Sequence, residues 1–380
     1  MSGTLDILDR LIGFDTVCDQ SNLALIDYVQ DYLNARGFRT TRLDDPTEPK
    51  AGLYAEIGPE GDGVLLSAHT DVVPAEGQDW THDPFRLTIE NGRAYGRGTT
   101  DMKGFVAAML TAADAARQTT LREPLKLVLS YDEEIGCVGI ARMLNRLAPL
   151  MGSPRMAIVG EPTEMQVATG HKGKRSYRAI FTGQSGHSAL APRFVNALNV
   201  AAGFVQGLQA LQADLATGPA EPGHDIPYST VHVGTLSGGR ALNIVPDRAE
   251  MLFELRHLAQ DDPDQLEQRI RTMAREVCST FGPAARIEIT QIANYPALDT
   301  ATDAQVVQDV QALAGTQKTK VAFGTEAGFF ANAGIPPVVC GPGSMAGQGH
   351  KADEYLSLDQ LAACEAMLDR LLQDIATAGR

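Results

Sequence analysis

Positive charge is in short supply in this chain. Its 32 Lys and Arg residues stand against 47 Asp and Glu, a formal net charge of −15 at pH 7. The basic footprint that nucleic-acid binding requires is therefore missing, and an acidic surface otherwise serves mainly solubility. Cysteine is sparse too. Cys18, Cys137, Cys278, Cys340 and Cys364 make an odd number with no CxxC pair, which argues against a disulfide framework and fits a reducing compartment. The opening residues Met1-Ser2-Gly3-Thr4-Leu5-Asp6 offer no basic n-region and no long apolar core, so no signal peptide is expected. No apolar run approaches the ~20 residues of a membrane-spanning helix. Low-complexity segments and internal repeats are also lacking. Together these absences predict a soluble, cytoplasmic protein with neither nucleic acid nor membrane as partner.

What is present is ordinary globular composition, 44% hydrophobic and 21% charged over 380 residues, long enough for two or three domains. Helical spacing of apolar residues predicts helices over 4–18 and 22–37, the second stopped by Arg36-Gly37. Strands are expected at 51–57, 63–68, 125–131 and 156–159, alternating with helices at 105–116 and 138–147. That alternation points to an α/β sheet with both faces covered. The register changes after His171-Lys172-Gly173. Strand 174–182, helix 196–215, strands 228–236 and 248–257, helix 264–281 and strand 286–291 follow in the order βαββαβ, the pattern of a ferredoxin-like sandwich. Residues 174–291 therefore read as an inserted α+β domain. Residues 1–173 and 292–380 form a discontinuous first domain, completed by a helix near 303–314, a strand at 335–340 and a helix at 358–376.

Ligands bind at the carboxyl ends of strands in open α/β sheets, and those ends are unusually polar here. The run Val64–Ala68 ends in His69 and Asp71, two residues apart and so on one side of an extended segment. The next strand ends in Asp132-Glu133-Glu134, the following one in Gly160-Glu161-Pro162, and the last leads through Gly341-Pro342-Gly343-Ser344 to His350. Asp101 lies in Gly96–Gly104, just before a helix. Each has a bland alternative. His69 and Asp71 could cap a plain strand end, Asp101 could N-cap its helix, Glu133 and Glu134 could form a solvated turn, Glu161 could be a loop carboxylate and His350 a surface histidine. The joint arrangement is harder to explain blandly, because converging carboxylates raise one another's pKa unless cations neutralise them. Two divalent cations would balance Asp101, Glu134 and Glu161 plus one hydroxide. Imidazole with carboxylate suits zinc, and also cobalt or manganese. A metal pair ~3.5 Å apart is a known hydrolytic device.

The stretches Ala68–Pro74, Gly96–Gly104, Asp132–Glu134, Gly160–Thr163 and Gly183-Gln184-Ser185-Gly186-His187-Ser188 resemble the di-zinc aminoacylase and carboxypeptidase family, from the first helix to the last. Finer signals resemble its acetylornithine-deacetylating branch: Gly170–Gly173, Phe323-Gly324-Thr325-Glu326-Ala327, and His350-Lys351-Ala352-Asp353-Glu354-Tyr355. The Ser-Gly-Asp element of the related desuccinylases is replaced by Gly324–Ala327. The resemblance implies a mixed-sheet, di-zinc exopeptidase-like catalytic domain with a ferredoxin-like dimerisation (lid) domain inserted in it. It implies that His69, Asp101 and Glu161 hold one metal, and that Asp101 bridges to a second held by Glu134 and His350. Glu133 becomes the general base, and Asp71 orients His69. His187 reaches the partner subunit's site in a homodimer and stabilises the oxyanion. Arg256 and Asn243 resemble the pair that binds the substrate carboxylate, with Lys172 and Thr325 as further contacts. The expected reaction is hydrolysis of an N-acyl amino acid.

Other readings account for less. Gly341–Gly349 lacks the Gly-Lys-Ser/Thr ending of a phosphate loop. Ser185–Ser188 has no Gly-x-Ser-x-Gly elbow, and a serine nucleophile leaves the carboxylates unexplained. Arg256 alone could be a strand-surface ion pair. A non-catalytic, metal-bound binding protein would be expected to lose Glu133 or a ligand, and this chain has them all. Another N-acyl amino acid deacylase or a dipeptidase of the same family stays open, because fold analogy does not fix the acyl group.

Overall fold

The computed structural model describes residues 3–377. In chain order its main elements are α1 (Gly3–Ile12), α2 (Leu23–Asn34), β1 (Arg39–Asp44), β2 (Ala51–Ile57), β3 (Val64–His69), β4 (Thr88–Glu90), β5 (Arg93–Tyr95), α3 (Gly104–Ala116), β6 (Leu125–Ser130), α4 (Val138–Met151), β7 (Met156–Pro162) and β8 (Val167–Ala168). There follow β9 (Gly173–Thr182), α5 (Ala197–Leu215), β10 (Thr230–Gly238), β11 (Arg248–His257), α6 (Pro263–Phe281) and β12 (Arg286–Tyr295). The chain closes with α7 (Gln305–Ala314), β13 (Lys318–Thr319), α8 (Ala327–Asn332), β14 (Pro337–Gly341), β15 (Tyr355–Ser357) and α9 (Leu358–Thr377). Two compact units result. One runs to Gly170 and resumes over Leu298–Val321 and from Thr325; the other comprises His171–Ala297 with Ala322–Gly324.

The first unit is built on an eight-stranded mixed sheet in the order β1-β2-β6-β3-β7-β14-β8-β13. Its centre, β6-β3-β7-β14, is parallel. Every residue of these four strands is buried, as continuous apolar runs are when both faces of a parallel sheet are covered. Helices α1, α2, α3, α7 and α9 share their core, and α4 packs on β2 and β6. Because the four strands are parallel, their carboxyl ends meet along one edge.

Several element bounds depart from the sequence reading for identifiable reasons. Helix α1 stops at Ile12 rather than near residue 18. The segment beyond it spends its polar groups on the end of β3: Thr16 Oγ1 donates to the Thr70 carbonyl at 2.6 Å, and the Val72 amide donates to the Thr16 carbonyl at 3.0 Å. Strand β1 was not expected. It is an edge strand in which only Leu43 is buried, so it has no apolar alternation to detect. Helix α8 also escaped the apolar-periodicity reading, being only six residues long.

The second unit has a four-stranded antiparallel sheet, β10-β11-β9-β12. Helices α5 and α6 pack with it around Phe181, Phe204 and Phe253. With β9 and β11 central, this is the ferredoxin-like order. Strand β12 runs on to Tyr295, past the expected end at 291. A bulge intervenes: Tyr177 pairs with Gln291 and Ser176 with Ala293, leaving Ile292 as the extra, exposed residue. That insertion breaks the period-two alternation on which the expected boundary depended.

Candidate active site

His69 is the last residue of β3, and Glu161 lies in β7, one strand over. Asp132–Glu134 follow β6 on the other side, and the loop after β14 carries His350. Asp101 enters from the irregular segment Thr99–Lys103 that precedes α3. The parallel strands thus bring His69, Glu161 and the 132–134 turn to one edge, where Asp101 and His350 meet them from irregular segments. His69 Nε2 lies 3.1 Å from Asp101 Oδ1 and 3.7 Å from Glu161 Oε1. On the far side of the same carboxylate, Asp101 Oδ2 is 3.1 Å from His350 Nε2, which is 2.9 Å from Glu134 Oε2. Asp101 therefore turns one oxygen to each imidazole.

Asp101 does not cap α3: the residue before that helix is Lys103, with no side-chain cap. Glu133 and Glu134 are not a solvated turn. Their amides donate to Asp71 Oδ1 and Oδ2, each at 3.1 Å, and the Glu134 side chain is only 5% exposed. Asp71 is placed between two tasks. Its main-chain oxygen is 2.9 Å from His69 Nδ1 and its carboxylate 3.4 Å, while that carboxylate also holds the 133–134 turn. The Cys137 thiol donates to Glu133 Oε1 at 3.2 Å. His350 is exposed, and its backbone sits in the left-handed region with φ 60°.

The electrostatics follow from crowding. Burial, then mutual repulsion, pushes Glu161 well above the usual carboxylate range. Burial likewise raises Glu133, with Glu134 and Asp101 adding to it, and brings Glu134 to about 7. His350 is raised to about 10, first by its hydrogen bonds to Asp101 and Glu134. Such a set of acids and imidazoles holds protons against repulsion, and divalent cations are the natural replacement for those protons. The donor geometry fits. Ligand atoms of His69, Asp101 and Glu134 lie within 4.8 Å of one another, as do those of His69, Glu133 and Glu161. Glu134 Oε1 is buried with no hydrogen-bond partner among the described residues, an acceptor that a cation would satisfy.

Thr325 is buried two residues before α8, where its hydroxyl accepts the Ala327 amide at 3.1 Å. Lys172, His187, Asn243 and Arg256 belong to the second unit. There Arg256 Nε donates to Glu254 Oε1 at 2.7 Å, the strand-surface ion pair of its bland alternative. Lys172 Nζ donates to the Tyr228 carbonyl. His187 Nδ1 accepts the Ala189 amide at 3.1 Å, and Asn243 is exposed.

Reasoning from the sequence missed the groups that support the site. Glu354, within the His350–Tyr355 motif, has a buried carboxylate that accepts the amides of Gly98, Thr100 and Asp101. Buried Lys50 pairs with Asp132, beside the 133–134 turn. Glu326, fully buried, is pushed to about 7 by desolvation. Their signal was weak: charged residues in otherwise apolar or Gly-rich contexts, at positions that only the fold brings together.

A two-imidazole, multi-carboxylate centre at the carboxyl edge of a parallel sheet defines a metal-dependent amidohydrolase, and comparison with known proteins agrees. The chain belongs to peptidase family M20/M25/M40, whose family pattern matches residues 65–374. It is 35% identical over 380 residues to an acetylornithine deacetylase of Myxococcus xanthus, covering 97% of this chain and 98% of that one. The acetylornithine deacetylase of Pasteurella multocida (strain Pm70) is 33% identical, with coverages of 96% and 94%. Among solved structures, the M20 family metallo-carboxypeptidase Sso-CP2 of Sulfolobus solfataricus superposes with a TM-score of 0.83 at 20% identity, over 99% of this chain and all of that one. YXEP of Bacillus subtilis, described as a dinuclear metal binding peptidase, gives 0.70 at 16% identity, over 97% and 96%. At those identities the structural likeness speaks to the fold. No helix among the described residues is long and apolar enough to cross a membrane.

Proposed function

We propose that the protein removes the acetyl group from N2-acetyl-L-ornithine, giving L-ornithine and acetate for arginine biosynthesis. The observation that carries the hydrolytic part is the sharing of Asp101 between His69 and His350, with Glu133 beside them. The choice of substrate rests on the full-length relatives named above and on the Gly324–Ala327 element.

In this reading His69, Asp101 and Glu161 hold one divalent cation, and Asp101, Glu134 and His350 a second. Zinc suits the donor set best, and cobalt also fits it. When bound, the two ions supply polarisation of the acyl carbonyl and a lowered pKa for the attacking water. Glu133 does the proton work. It accepts a proton as the water oxygen adds to the acyl carbon, then delivers that proton to the amine nitrogen as the C–N bond breaks. Its half-buried position and Cys137 contact hold the carboxylate toward the cluster. Asp71 keeps the His69 ring oriented. His187, supplied by the second subunit of a homodimer formed through the inserted unit, stabilises the oxyanion. Arg256 and Asn243 bind the α-carboxylate, and Lys172 and Thr325 contribute further contacts. All five cysteines are free, in keeping with a cytoplasmic enzyme.

Initial rates over a panel of N-acetyl, N-succinyl and N-formyl amino acids, with zinc or cobalt, test the assignment. N-acetylornithine should give the highest kcat/KM. A preference for N-succinyl-diaminopimelate would overturn the substrate. No hydrolysis at full metal occupancy would favour a binding protein.

A further inference from the structure

The two sides of the metal cluster are held by very different means. His69 and Glu161 belong to buried central strands, whose ladders fix them. Asp101 and His350 sit on irregular backbone, Asp101 within Thr99–Lys103 and His350 in a loop at positive φ. Something other than a sheet must set their positions.

That something is a chain of side chains with Glu354 at one end and Gln78 at the other. Strand β15 pairs antiparallel with β5, Tyr355 opposite Tyr95, which lays Glu354 beside the turn that leads from β5 to Asp101. Glu354 is 1% exposed. Its Oε1 accepts the amides of Thr100 at 2.9 Å and Asp101 at 3.0 Å, and its Oε2 accepts the Gly98 amide at 3.1 Å. The same Oε2 takes Arg97 Nη1 at 2.7 Å. Arg97, also 1% exposed, lies over the Trp80 ring and reaches outward with Nη2 to Gln78 Oε1 at 2.6 Å.

The Gln78 amide has an unambiguous orientation. Its oxygen accepts from two donors, Arg97 Nη2 and Trp80 Nε1, the latter at 3.2 Å. Its nitrogen donates to the main-chain oxygen of His350 at 3.1 Å. One end of the chain therefore fixes the backbone of Asp101, and the other fixes the backbone of His350. These two residues face each other across 3.1 Å. Asp101 is shared with His69, but the Gln78 contact falls on His350 alone, which approaches Asp101 and Glu134.

We propose that Gln78 is a positioning residue for one metal position only, the one formed by Asp101, Glu134 and His350. It acts by tying the His350 carbonyl to the Arg97–Glu354 pair that holds Asp101. The inference rests on the two-metal reading above. Outer hydrogen-bond partners of metal ligands are commonly worth ~10–100-fold in metal affinity, and here that loss falls on one ion of the two.

The test is calorimetric titration of zinc into chelator-stripped protein, comparing the natural chain with Gln78→Ala and Gln78→Glu. Gln78 is only partly buried, so both variants should fold. Gln78→Glu separates the two roles of the amide: it keeps an acceptor for Arg97 and Trp80 but replaces the donor to His350 with an oxygen. The expected result is two binding events in the natural chain. In both variants one event is unchanged and the other is weakened ~10-fold or more, with activity recovered at high zinc. Unchanged isotherms in both variants would overturn the inference. So would equal weakening of both events, or a Gln78→Glu protein that behaves like the natural chain. Fewer than two binding events in the natural chain would sink the two-metal reading itself, and the inference with it.

Discussion

Asp71 shows how much one side chain does at this edge. Its two carboxylate oxygens take the amides of Glu133 and Glu134, and the same group stands 3.4 Å from His69 Nδ1. Asn at this position keeps one acceptor and turns an amide N–H₂ toward the other backbone N–H, so the turn carrying Glu133 and Glu134 must shift. Asp71→Asn is expected to fold and to lose ~10–100-fold in metal affinity or kcat; titration with zinc and steady-state kinetics check this, and unchanged values in both would return Asp71 to the capping of a strand end. The pairing of His69 with Asp71 was visible in the sequence as an i, i+2 spacing. The tie from Asp71 to residues 133–134 was not, because 62 positions separate the hydrogen-bonded partners.

The elements that present the candidate site residues were legible to different degrees. Strands β3, β6, β7 and β14 are uninterrupted apolar runs flanked by turn residues, and the run of apolar side chains is itself the physical demand of a sheet covered on both faces. Edge strand β1 and the bulged end of β12 were not legible, because exposure and an inserted residue erase the alternation. Gly160 belongs to the readable part for a reason only the structure supplies. A Cβ there would lie 2.0 Å from the Phe105 ring of α3, so glycine is what lets the helix press on the strand beside Glu161. Gly160→Ala should therefore destabilise the first unit by ~1–3 kcal/mol and lower metal affinity through Glu161. Urea unfolding measures the first effect, and an unchanged midpoint would show that Phe105 moves aside without cost.

At the scale of the whole molecule, acid should act on the second unit as well as on the metal centre. Burial holds the His171 imidazole down at about 4, and its Nδ1 lies 3.0 Å from the Lys172 carbonyl; an unfolded histidine titrates near ~6.5. Between these values the unfolded chain binds the proton and the folded chain does not. Stability present above pH ~6.5 is therefore lost as the pH falls toward 4, by ~3 kcal/mol for this group. Burial lowers His257 in the same direction. Denaturant unfolding at pH 7 and pH 4.5 should show a smaller acid loss for His171→Gln than for the natural chain, and equal losses would remove His171 from the account of acid sensitivity.

The hydrolytic role is tested most directly by loading Glu133→Gln with zinc and measuring ion stoichiometry and kcat on N-acetylornithine together. The expected result is two ions bound, as in the natural chain, and kcat lowered ~10²–10⁴-fold. Near-normal turnover at the same loading would contradict Glu133 as the group that moves the proton.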